Sequence, residues 1–365
     1  MAPLLIRLEE QLRQSSDIAE RAEINARKAC YLARVGEFQS VRNLIADLRA
    51  DFGGGHNPKI SAWIMLSEGI LEIFEKMSPQ AKDRISRAQL ISLAIKDRTL
   101  GAITSSWKAH VDFETSDFRS MGKSLRIAID NADPENDDAQ ARLAMVVADA
   151  LYLCGDRAQA QEWFMKSRSH ALNAGDQATI DALLYNKAAF SMSWMRSEKC
   201  FGAYDESQIS LIGQELTSSK NFQSLASIAA LSNFVGLCEA RVMMLSKDYS
   251  KAIDGLLAVR NRGPFASYNF SVDIIDLEIA YCLYQTGQYT AALEKFNVLR
   301  NVDYSRFDVD DRLVTSWIKH ELSLRDSDFG DSAKYAERLS VDQFEYRSYL
   351  MDLRLAIDPI VSNRQ

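Results

Sequence analysis

Turn-formers are scarce: only 6 prolines and 16 glycines punctuate 365 residues. No Val/Ile/Thr-rich alternating runs occur, so an all-β fold is excluded and an all-α fold is expected. An excess of base is also missing. Lys and Arg total 43 against 50 Asp and Glu, a net charge of −7, which argues against nucleic acid as a partner. No segment approaches the ~18 apolar residues of a membrane span, and the opening MAPLLIRLEE is too short in apolar residues for a secretory leader. The five cysteines (Cys30, Cys154, Cys200, Cys238, Cys282) lie far apart with no CxxC pair. They read as reduced core residues of a cytoplasmic protein.

Chemistry-bearing patterns are equally thin. Gly53-Gly54-Gly55 lacks the Lys-Ser/Thr of a phosphate loop and reads as a helix-stopping loop. His56, His110, His170 and His320 are scattered without metal-ligand spacing. No nucleophile elbow or kinase signature is present. The carboxylate pairs Asp137-Asp138 and Asp310-Asp311 sit near expected helix starts, where the helix dipole accounts for them. The expectation is a protein without enzymatic activity, cofactor or metal.

What is present is a repeated helical hairpin. Leu277 to Arg300 carries one apolar run ending at Thr286-Gly287 and a second beginning at Tyr289. Spacings of i, i+3, i+4 and i+7 mark each run as a helix with one buried stripe. Taking Tyr289 as position zero, equivalents fall at Phe38, Gln80, Phe118, Arg157, Tyr204, Tyr249 and Phe329, spaced 38 to 47 residues apart. Nine residues earlier lies a mostly Ala column (Ala29, Leu71, Ala109, Ala148, Met195, Ala240, Ala280, His320). Two residues earlier lie Gly36, Ser78, Ser116, Gly155, Gly202, Lys247, Gly287 and Ser327. A period of about 42 residues signals a helical repeat array, in which each hairpin buries its stripe against neighbours.

The small–Gly–aromatic–Ala–aromatic offsets at Ala148, Gly155, Ala160 and Phe164, and at Ala280, Gly287, Tyr289, Ala292 and Phe296, resemble the tetratricopeptide repeat. That repeat is usually 34 residues, so the helices or connections here are longer. The long period also resembles the superhelical sensor domain of maltose-type transcription activators and the sensory repeat arrays of bacterial signalling regulators. The expected fold is a single all-α αα-superhelix, right-handed, over 1–365. Residues 1–16 form an N-terminal cap, 17–339 eight hairpins, and 340–365 a C-terminal cap and tail. Asp17 with Glu20 has the pattern of a capping box. Asp51 to Pro58 makes a loop, and Ser78-Pro79, Asp133-Pro134 and Asp308 to Asp311 mark helix starts. Gly263-Pro264 closes the sixth hairpin. Trp107, Trp163, Trp194 and Trp317 are read as core.

The resemblance also implies a concave groove lined by the first helix of each hairpin, with ligand contacts one residue after the small Ala. This column holds His110, Asp149, Arg196, Arg241 and Tyr281, and three residues further on come Tyr152, Lys199 and Tyr284. Arg and Lys beside Tyr suit an acidic peptide, because guanidinium groups take carboxylates bidentately. The family's clamp for chaperone tails is absent, since Ala26, Cys30, Glu68 and Glu72 stand at its positions. The function expected is a scaffold or sensor binding a protein or peptide segment, with oligomeric state left open. The alternative is a small-molecule or signalling-peptide receptor regulating an output protein. If the groove is open, exchanging Arg196 and Arg241 for Glu should abolish binding and leave helicity unchanged.

Overall fold

The computed structural model describes residues 2–76, 80–226, 228, 232–261, 272–305 and 307–362. The expected signals at Ser78-Pro79 and Gly263-Pro264 lie outside them. The described residues form helices and no strand. In chain order these are α1 (Pro3–Gln14), α2 (Ile18–Val35), α3 (Phe38–Phe52), α4 (Pro58–Lys76), α5 (Gln80–Ala94), α6 (Arg98–Glu114), α7 (Phe118–Asn131), α8 (Asp137–Leu153) and α9 (Arg157–Ala174). There follow α10 (Gln177–Lys199), α11 (Ser207–Ala226), α12 (Ser232–Leu245), α13 (Tyr249–Asn261), α14 (Val272–Gln285), α15 (Tyr289–Leu299), α16 (Val309–Arg325) and α17 (Ser332–Ser362). Consecutive helices pack as antiparallel hairpins, α2 with α3 through α16 with α17. The architecture is an all-α, tetratricopeptide-like solenoid.

The aromatic column has a plain structural meaning. Phe38, Gln80, Phe118, Arg157, Tyr249 and Tyr289 are each the first residue of a second helix. Two residues before five of these starts the backbone is left-handed, at Gly36, Ser116, Gly155, Lys247 and Gly287, with φ between +56° and +93°. That conformation stops the first helix and turns the chain back. At Gly155 glycine is required twice over, because a Cβ there would meet Trp194 Nε1 at 2.5 Å. Asp97, Asp117, Asn136 and Asp156 cap the helices they precede, each accepting from a backbone N–H three residues on.

Departures from the expected layout are local, except at the end. The fifth hairpin slips: Tyr204 precedes α11 by three residues, while Asp205 accepts from the backbone N–H of Ser207. Asp17 caps α2, but Glu20 does not complete the capping box. Its carboxylate takes the Ser15 hydroxyl instead. Asp133-Pro134 lies before α8, whose cap is Asn136. Phe329 ends a short 3-10 turn ahead of α17. The boundary expected at 339/340 falls inside α17, a single helix of 31 residues. No Gly interrupts it, and Pro359 lies in its last turn.

Both terminal helices reach back across the array. α1 lies on α2 and on the turn before α10, where Leu4 N–H donates to Gly175 O (3.2 Å) and Arg7 Nη2 to Ala174 O (2.6 Å). Beneath it, Arg34 of α2 donates to Asp176 at 2.7 Å. α17 continues past α16 onto α7 and α8, where Tyr349 meets the Phe118 ring at 4.9 Å and Arg354 pairs with Asp156 at 3.2 Å. Leu353 and Ile357 are fully buried there, each worth ~1.5–3 kcal/mol of transferred apolar surface. Trp107 and Trp163 are core; Trp194 and Trp317 are half-buried. Four cysteines are buried, Cys154 is half-buried, and none is in a disulfide. Burial pushes the Cys30 thiol up to about 11 and those of Cys154 and Cys200 to about 12.

Candidate functional site

The first helices do direct the expected column inward, but into an interior that is packed. Arg196 (α10) and Arg241 (α12) come together as neighbours from successive hairpins. They are enclosed with Glu278 (α14) and Asp311 (α16). Arg196 is 2% exposed and Glu278 0%. Arg196 donates through Nη2 to Glu278 (2.6 Å) and through Nη1 to Asp311 (3.1 Å). Arg241 donates through Nε to Glu278 (3.2 Å) and through Nη2 to Asp311 (3.4 Å). Burial opposes ionisation of Asp311, but Arg241 and Arg196 outweigh it and hold the carboxyl below its usual range. Burial likewise opposes the Arg196 charge, and Glu278 and Asp311 outweigh it. Next to Asp311, Asp310 is pushed up by burial and by Asp311 itself, and its carboxylate takes the Ser193 hydroxyl. Two guanidinium groups and two carboxyl groups thus pair with one another across four helices.

The other expected residues are placed as follows. Lys199 sits among Trp317 (5.1 Å), Tyr204 (5.7 Å) and Tyr281 (5.8 Å), its ammonium over their rings. Desolvation lowers its pKa. Tyr281 is buried between Trp317 and Tyr249. Tyr284 is half-buried against Tyr289 and Phe329. Tyr152 is buried and donates to Gln161 at 3.0 Å. Asp149 is buried, accepts from Asn186 at 2.8 Å, and is driven well up by desolvation. His110 is buried edge-on to Trp107 at 5.6 Å, and desolvation lowers it to about 3. The structure therefore unites Arg196 with Arg241 and Lys199 with Tyr281. It leaves the remaining four apart, and among the described residues it presents no row of free cations along an inner trough. Exchanging both arginines for Glu would set five acidic groups together in the core, the two new ones with Glu278, Asp310 and Asp311, so helicity is not expected to survive it.

A more accessible surface lies outside, along α17. This helix has two apolar stripes on opposite faces. Leu339, Tyr346, Leu353, Ile357 and Ile360 face the core. Val341, Phe344, Met351 and Leu355 face solvent, with Phe344 at 72% and Leu355 at 66% exposure. Their spacings of three, seven and four residues follow the heptad seam, with Ser348 filling the vacant position. Beside the stripe runs a groove of about 840 Å3 between α7 and α17. Phe118, Gly122, Leu355, Ala356 and Pro359 form its apolar lining. Arg119, Lys123 and Arg126 of α7 stand along one side, with Asp352 across from them. Gly122 permits the close approach, since a Cβ there would lie 3.0 Å from Ala356 O. Among the described residues none of the three cations has an ion-pair partner, whereas the neighbouring Asp117 is held by Lys82 at 2.9 Å. Phe344, Leu350, Leu353 and Ile357 all fall in the 340–365 stretch that the sequence reading treats as one cap and tail. Sorting the same residues by 100° steps would have separated the two stripes.

Known proteins add little to this geometry. No family model matches the chain, and no curated protein matches it. Among solved structures, the crystal structure of the apo form of RapI overlaps 94% of this chain and 92% of its own at 11% identity, with a TM-score of 0.48. A likeness that loose carries no functional argument.

Proposed function

We propose that the protein is a non-enzymatic helical-repeat scaffold that binds an amphipathic, acidic helical segment of a partner protein. The observation behind this reading is the solvent-facing stripe of α17. A helix apolar on two opposite faces is fitted to lie between two neighbours. Val341, Phe344, Met351 and Leu355 offer the apolar seam, while Arg119, Lys123 and Arg126, at i, i+4 and i+7, offer cations to the acidic flank of the incoming helix. The geometry favours this outer surface over the inner column, because Arg196 and Arg241 are already engaged by Glu278 and Asp311.

The test is capture of partners on immobilised protein, read by mass spectrometry, from wild type, Phe344→Ser with Met351→Ser, and Arg119→Glu with Lys123→Glu. Proteins held by wild type and lost from both variants support the reading. Their equal retention on all three sinks it. A second reading, receipt of a small ligand, is favoured by one cavity beneath α1.

A further inference from the structure

Three guanidinium groups and two carboxylates of α2, α8 and the turn before α10 line one cavity with Leu4 and Leu8 of α1. Arg34 is paired with Asp176 (2.7 Å) and also donates to the Thr179 hydroxyl (2.9 Å). Arg27 is paired with Asp138 at 3.0 Å. Arg142 is 3% exposed and has no carboxylate. Among the described residues the one hydrogen-bond contact of its guanidinium is the Met145 sulfur, 3.7 Å from Nη1. The flat face of its guanidinium lies on the Trp107 ring, 3.9 Å from the centroid. Neighbouring groups do not supply the missing charge: His110 is neutral at ordinary pH, and Asp149, two turns along α8, is held toward its protonated form by burial and bonded to Asn186. Cys30 is also held as the thiol and contacts Ser67.

Arg142 opens onto a cavity of about 50 Å3 whose apolar lining is Trp63, Leu66, Ile103 and Trp107 with Leu4 and Leu8 of α1; the carboxylates of Asp138 and Asp176 also line it, each already engaged by its arginine. A water molecule needs at least ~10–15 Å3 by that measure, so the space admits a body of three or four heavy atoms. With one face of the guanidinium covered by indole and Nη1 against the Met145 sulfur, no described residue takes a hydrogen bond from Nε or Nη2, and that edge matches the two oxygens of a carboxylate. The surplus is a single positive charge, so the complement is a monoanion. The Arg27–Asp138 pair, only partly buried, also lines the cavity.

We infer that this cavity is a binding site for a small monocarboxylate, held bidentately by Arg142 over Trp107 and covered by α1. The site does not depend on the α17 surface and stands or falls separately from it. Sodium acetate titrated into the full chain by calorimetry, at constant ionic strength made up with sodium chloride, tests it. Saturable binding at one site per chain is expected, weakened at least tenfold in Arg142→Gln. Inorganic phosphate, bulkier and more highly charged, is expected to bind at least tenfold more weakly than acetate in the wild type. Arg142→Lys, which keeps the charge and loses the fork, serves if the glutamine variant does not fold, and it too must weaken acetate binding. Absence of saturable binding overturns the assignment. So does acetate binding unchanged in Arg142→Gln or Arg142→Lys, or phosphate binding as tightly as acetate.

Discussion

The inner faces of the two halves solve the same electrostatic problem with different counts. Towards the C-terminus, Arg196 and Arg241 meet Glu278 and Asp311, and the charges cancel. Towards the N-terminus, Arg27, Arg34 and Arg142 meet only Asp138 and Asp176, and one guanidinium rests on an aromatic ring instead. A closed ion cluster is a structural element: nothing is left over to attract a ligand, and removing one member strands the others. An open one is a site. The lesson is that an inward-facing arginine on a repeat array says little until its carboxylates have been counted.

Glu278→Ala should give the largest effect. It leaves two buried guanidinium groups sharing Asp311, and breaking a buried pair costs ~3–5 kcal/mol, measurable as a lower midpoint in urea. Arg34→Ala is expected to cost less, ~1.5–3 kcal/mol, the worth of hydrogen bonds to a charged partner, because Thr179 still serves Asp176. Arg142→Met should fall within ~1 kcal/mol of wild type, since relief of an unpaired buried cation offsets the lost ring contact, itself worth up to ~2 kcal/mol. If Arg142→Met proves as damaging as Glu278→Ala, the contrast between the halves fails.

A finer contrast lies on α10 itself, between Asp176 and Asp181. Burial opposes ionisation at both. At Asp176 the Arg34 charge wins and the carboxyl is held below its usual range; Asp181 has only a 3.5 Å bond from Gln223, and desolvation pushes it up to about 7. Between the ordinary carboxylate value and pH 7 the folded chain therefore keeps a proton at Asp181 that the unfolded chain has lost. Its contribution to stability falls as pH rises through that window. Asp176 behaves oppositely: its contribution is present above the ordinary value and is lost as pH falls through its lowered folded value. Asp181→Asn should flatten the decline between pH 4 and 7 in chemical denaturation at stepped pH, and an unchanged slope would refute the assignment. The smallest effect is expected outside: Phe344→Ser should shift stability by no more than ~0.5 kcal/mol, because its ring packs on solvent.

Much of the architecture was readable from spacing. Phe38, Phe118, Tyr249 and Tyr289 mark second-helix starts because each follows a left-handed stop, and that is a local property of a few adjacent residues. The candidate site was less readable. That Arg196 faces inward follows from helical periodicity, but its partners Glu278 and Asp311 lie 82 and 115 residues away in sequence, beyond the reach of any periodic rule. Arg142 gave no signal at all, because an arginine without a partner is indistinguishable in sequence from one with a partner.

Helix identity, the hairpin rhythm and the places where the chain reverses were determined by the amino-acid sequence alone, since they depend on apolar period and on backbone conformation within one or two turns. Tertiary structure alone decided that α1 and α17 fold back over the array, that one arginine cluster is balanced and the other is not, and that α17 shows an apolar stripe to solvent. Those outcomes depend on which surfaces remain uncovered once every hairpin has packed, and that is a property of the whole chain.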